Sequence, residues 1–188
     1  MSSKRANLVI CSAAFVNCIV VLLTLAIQGW SSTGLRAAAR NSARISAMWF
    51  VIAFAAPGLV RFVRGLPSVM TLLWAWFAAH LVHFATVAIL LASFERPHIA
   101  QHPGQAVLVV LIGSSLVFGT ALTAASHSPV PTVIHSISLY SVFGIFTLAF
   151  TRNRVPSLRL LAVALALALV LRLTPRLKSA QTSATSAG

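Results

Sequence analysis

Acidic residues are almost missing from this 188-residue chain: Glu95 stands alone against 14 lysines and arginines. One acid excludes paired-carboxylate hydrolysis, EF-hand calcium loops and the Asp/Glu relays of many cation-coupled transporters. Cysteine is scarce as well. Cys11 and Cys18 lie about 10 Å apart along one expected helix, too far to bridge each other, and read as two ordinary buried thiols. Charge of any sign is thin, at 8% of residues where a soluble domain carries about 25%. There is no CxxC, P-loop, G-x-G-x-x-G or Ser/His/Asp set, so no flavin or nicotinamide domain is indicated.

What the chain has instead is apolar length. Hydrophobic residues make up 59% and mean hydropathy is +0.93. Several runs reach the roughly 20 residues needed to cross about 30 Å of hydrocarbon. Lipid leaves the backbone only helices or closed barrels, and strand-like alternation is absent. The fold class is therefore all-α, a polytopic six-transmembrane-helix bundle. The expected spans are about 8–28, 43–60, 68–93, 105–125, 132–150 and 157–173. They form one domain over 1–178, followed by a polar tail, 179–188, expected to be disordered. The run after Lys4-Arg5 is too long for a signal peptide and reads as a retained first helix. No internal repeat marks an inverted-repeat transporter.

Basic residues fall between the apolar runs, which points to the lipid bilayer or an anionic cofactor and not to nucleic acid. Six spans place Lys4, Arg5, Arg61, Arg64, Arg172, Arg176 and Lys178 on one face. Arg36, Arg40, Arg44, Arg96, Arg152, Arg154 and Arg159 fall on the other. The positive-inside rule gives no orientation from that tie. Arg159 and Arg172 lie close enough to the ends of the last span to snorkel.

His80 and His83 sit in the stretch Leu66–Phe94, which has no formally charged residue. Ionisable side chains are rare at such depth and face a bundle interior, a cavity or a cofactor. At three-residue spacing the two share a helix face, with Trp76 on it and Trp74, Phe77 and Phe84 around it. Three readings stay open on spacing alone: haem or metal ligation, helix packing, and a proton relay. His135 lies on the fifth span, a few residues in, whereas His80 is about 20 Å in from the same face. Arg36, Arg40 and Arg44 recur every four residues and form a stripe if the second helix begins early. Arg61 and Arg64 cap that helix's other end. Each cluster suits lipid phosphates or haem propionates. His98, His102 and His127 read as loop residues.

Ser32-Thr33-Gly34, an apolar helix, then Ala56-Pro57 and basic residues resemble the opening of the ferric reductase-like transmembrane superfamily. That superfamily includes the haem-binding membrane subunit of the bacterial methionine sulfoxide reductase system. Its histidine-bearing aromatic helix is similar to Trp74–Phe84, and its later helix opening on a histidine is similar to Val133–Tyr140. The resemblance covers roughly residues 30–152. It implies a six-helix bundle with b-type haem, His80 and His135 on the iron, His83 beside them, and Arg61 and Arg64 at the propionates. It further implies a haem-dependent oxidoreductase subunit of the bacterial inner membrane. Electrons would come from a quinol or flavoprotein donor and pass to a redox partner protein. Leu148 stands near where two-haem members carry another ligand, so at most one haem b is implied. The reading set against it is a non-catalytic membrane assembly factor or complex subunit whose intramembrane histidines only pack helices.

Overall fold

The structure is a computed structural model that describes residues 3–94, 113–120, 122–123, 129–151 and 156–185. These residues form helices α1 (Ser3–Gln28), α2 (Ser32–Leu59), α3 (Val69–Phe94), α4 (residues 113–120), α5 (Pro129–Thr151) and α6 (Pro156–Thr185). No strand occurs among the described residues. Four helical stretches, Ser3–Gln28, Ser32–Leu59, Val69–Phe94 and Thr132–Thr151, are long and apolar enough to cross a membrane. The chain is thus an integral membrane protein by helix length and composition. Most of the expected 105–125 span lies outside the described residues. The last helix runs on to Thr185, through most of the stretch expected as an unstructured tail.

Local chemistry explains the helix ends. Gly29 closes α1 with φ +76°, a left-handed conformation that only glycine takes without strain, and its N–H bonds the Leu25 carbonyl at 2.8 Å. Ser31 then caps α2, its hydroxyl accepting from the Gly34 N–H at 3.0 Å. Any Cβ at Gly34 would collide with the Gly29 carbonyl, so this tight reversal needs both glycines. Ser68 caps α3 in the same way, accepting from the Thr71 N–H at 3.2 Å. Helices α5 and α6 each open on a proline, whose missing N–H costs nothing in a first turn.

Helix α2 begins at Ser32, about two-fifths of its length earlier than the start near residue 43 that the apolar pattern suggested. Arg36, Arg40 and Arg44 lower the hydropathy of its first turns, yet the Ser31 cap and a run of good helix formers, Leu35 to Ala39, start the helix there. The three arginines therefore do form a helical stripe.

The core lies between α2, α3, α5 and α6. Phe50 and Trp76 are fully buried with ring centroids 5.1 Å apart, and Phe146 lies 5.3 Å from Phe50. Phe54 stacks on Phe143 at 4.8 Å. Helix α4 joins through Phe118, edge-on to Phe77 at 5.2 Å. Helix α1 lies outside this core and packs on α3 through a small patch of Ala13, Ala75 and Ala79. Its packing stripe is Ala13, Asn17 and Thr24, all buried. Cys11 and Cys18 lie on the opposite stripe, and both are exposed, contrary to the expectation of buried thiols. Seven residues is nearly two whole turns, so the pair shares a face, and that face points to lipid.

Candidate functional site

Four polar side chains meet where α2 and α3 cross mid-length. His80, 8% exposed, places Nδ1 2.5 Å from the Ser46 hydroxyl; His83 places Nδ1 3.0 Å from the Ser42 hydroxyl. Serines four apart on one helix and histidines three apart on an antiparallel neighbour form two successive rungs. The Ser42 hydroxyl also lies 2.9 Å from the Ala39 carbonyl, and when its hydrogen goes there it meets the His83 ring as an acceptor from Nδ1–H.

Aromatic rings enclose the His80 imidazole. Phe84 lies 4.6 Å away by centroid, His83 5.3 Å, Trp76 5.7 Å and Phe146 6.2 Å. Helix α1 adds a third polar contact at this level. Asn17, fully buried, donates from Nδ2 to the Ala79 carbonyl at 2.6 Å. The carbonyl oxygen of that amide and the Trp76 indole N–H have no partner among the described residues.

His135 lies elsewhere. Its Nδ1 is 3.0 Å from the Thr120 carbonyl, which can only accept, so the ring donates and ties α5 to α4. The approach there is close. A Cβ at Gly119 would come within 2.8 Å of the Ser138 hydroxyl oxygen. The α5 residue level with His80 is Phe146, about 16 Å along the helix from His135 at 1.5 Å per residue. The structure therefore brings His80 and His83 together and leaves His135 nearer the membrane face. Arg61 and Arg64 are exposed in the turn after α2, about as far again from His80 along α3.

Among the described residues, the expected His80–His135 pair does not fit one haem b. Two axial imidazoles must approach one iron at a common depth, and His80 and His135 do not. His80 and His83, on one face of one helix, cannot flank a macrocycle. A porphyrin on His80 would have to displace Phe84, Trp76 and Phe146 together. No group of three or more His, Cys, Asp or Glu able to hold a metal ion occurs among the described residues. His98, His102 and His127 lie outside the described residues.

A second polar insertion was not foreseen. Arg172 of α6, expected to snorkel, instead donates from a guanidinium nitrogen to the Phe54 carbonyl at 3.0 Å. Its guanidinium also covers the Phe54 ring at 4.7 Å and the Tyr140 ring at 5.8 Å. Pro57 lies inside α2 one turn on; it has no N–H and its ring disturbs the preceding turn, which leaves carbonyls there open to an outside donor. Gly58 allows the approach, since a Cβ there would collide with the Leu171 carbonyl.

A third network joins α1 to α2. The Asn41 amide donates to the Thr24 hydroxyl at 3.2 Å, and Arg44 donates to the Asn41 carbonyl oxygen at 3.2 Å. The sequence carried a signal for some of these: Asn17 and Thr24 are polar residues at helical spacing within an apolar run, and Ser42 and Ser46 recur four apart. Serine and threonine are too common in membrane helices for that signal to stand out beside a histidine.

No protein-family model matches this chain, and no curated protein or solved structure matches it.

Proposed function

We propose that this protein is a non-catalytic integral membrane protein, a structural or assembly subunit of a membrane complex, whose intramembrane histidines fasten helices. One observation carries the reading. Each of the three intramembrane histidines among the described residues uses Nδ1 to hold a neighbouring helix, His80 and His83 on α2 and His135 on α4. Interhelical bonds of this kind contribute about 0.6 kcal/mol on average and up to about 1.7. Their larger effect is on register, because a shifted helix would leave a buried imidazole unpaired in an apolar medium. The reading takes the chain as a six-span bundle in a bacterial inner membrane, with the lipid bilayer as its immediate partner.

A visible spectrum of protein purified from a haem-sufficient host, with iron analysis, tests the proposal. The expected result is colourless, iron-free protein, with His80→Ala lowering the melting temperature in detergent and leaving the spectrum flat. A Soret band with reduced b-type bands that disappears in His80→Ala would overturn it in favour of haem-based electron transfer.

A further inference from the structure

We propose that Arg40 and Arg44, on the α2 stripe beside α1, bind the phosphate of an anionic phospholipid drawn in against the α1–α2 hairpin. Arg40 is exposed and Arg44 half-buried, and four-residue spacing places them on one helix face. Both lie well inside α2. Arg44 is between Ser42 and Ser46, the residues level with the mid-length histidines of α3. Helical side chains lean toward the N-terminus, in the direction of the α1–α2 turn, which lies about 14 Å from Arg40 and about 20 Å from Arg44 along the helix at 1.5 Å per residue. There Trp30, 63% exposed, has the placement of an interfacial aromatic.

Charge in this position favours an anion alongside it. The described residues contain no carboxylate side chain, because Glu95, the chain's one acid, lies outside them. Phosphate from the surrounding leaflet is the anion always present at that boundary, and a planar guanidinium binds it through paired N–H donors. Arg44 is also fixed in place. One of its terminal nitrogens donates to Asn41, Asn41 donates to Thr24 of α1, and Thr24 donates to the Val20 carbonyl at 2.7 Å. That chain orders one edge of the guanidinium, so α1 contributes to the site through Thr24.

The test is native mass spectrometry of the full chain released from detergent, titrated with phosphatidylglycerol or with phosphatidylcholine of the same acyl chains. Phosphatidylglycerol adducts are expected to persist and phosphatidylcholine adducts to be lost. The double variant Arg40→Gln/Arg44→Gln is expected to bind phosphatidylglycerol about 30-fold more weakly, at about 1 kcal/mol for each arginine near the surface. Arg61→Gln/Arg64→Gln, at the other face, is expected to weaken phosphatidylglycerol binding less than Arg40→Gln/Arg44→Gln does. Thermal stabilisation of the unaltered protein by phosphatidylglycerol over phosphatidylcholine reads the same site should the double variant fail to fold. Equal binding of the two lipids, or unchanged binding in the double variant, would overturn the proposal. So would full displacement by inorganic phosphate, which would mark an anion site open to water.

Discussion

Of the places where the bundle carries polar side chains through apolar surroundings, two treat them differently. At mid-length, neutral imidazoles meet neutral hydroxyls, His80 with Ser46 and His83 with Ser42, within a wall of aromatic rings. Toward the end of α2, a permanently charged guanidinium, Arg172, is held by a backbone carbonyl and two aromatic faces. The half-buried Arg172 takes the Phe54 carbonyl and lies over the negative faces of the Phe54 and Tyr140 rings. Inside the aromatic wall only neutral groups pair, whereas Arg44 on the α1 side of α2 and Arg172 on α6 each keep an oxygen acceptor, the Asn41 amide and the Phe54 carbonyl.

The largest expected effect comes from removing the ring the two regions nearly share. Phe54→Ala is expected to cost about 3–5 kcal/mol, as large-to-small core changes do, and to loosen the Arg172 corner while sparing the rungs. Chemical unfolding in detergent, together with cross-linking across the α2–α6 contact, would measure it. A loss below 1 kcal/mol would mean that the corner is held by something other than this ring. Next comes Arg172→Met, which keeps an unbranched apolar stem and removes the charged donor. Its expected cost is about 1.5–3 kcal/mol, the range for hydrogen bonds to charged groups. Arg172→Lys is expected to recover only part, since a point charge cannot lie flat across two rings. Full recovery would show that the aromatic contacts contribute nothing.

The rungs are expected to give smaller numbers. Ser46→Ala should cost about 0.6–1.7 kcal/mol, and a double-mutant cycle with His80→Ala should return most of that as coupling. Additive losses would sever the rung in energetic terms, however close the atoms. Ser42→Ala is expected to be the mildest, because its partner His83 is only partly buried and can take another acceptor. A Ser42 effect larger than that of Ser46 would reverse the order of the two rungs.

Much of this architecture was legible in the sequence, and the gaps have physical causes. Apolar runs revealed α1, α3 and α5, because burial in lipid is a property of length and composition. The start of α2 was not legible from hydropathy, since Arg36, Arg40 and Arg44 mask a helix that its Ser31 cap and alanines favour. His80 and His83 stood out by chemical type, and their shared face follows from spacing alone. Their partners did not, because pairing depends on which helix lies alongside and at what register. The same limit applies to His135: local sequence brings it near a helix start, but only the packing of Phe146 against His80 shows the two histidines at different depths. Arg172 was the hardest to read. Its partner lies 118 positions earlier in the chain.

That separation bears on how the protein is made. Arg172 leaves the ribosome when Phe54 and the Pro57 turn have long been in place, so the cation finds its oxygen as soon as α6 docks. Asn17 faces the reverse order. It donates to Ala79, 62 residues further on. At 5–20 residues per second, its amide waits roughly 3–12 s for α3 to be synthesised. During that interval α1 presents a bare carboxamide to whatever surrounds the nascent chain. It is the point in biogenesis at which an insertion factor able to shield one polar group would matter most.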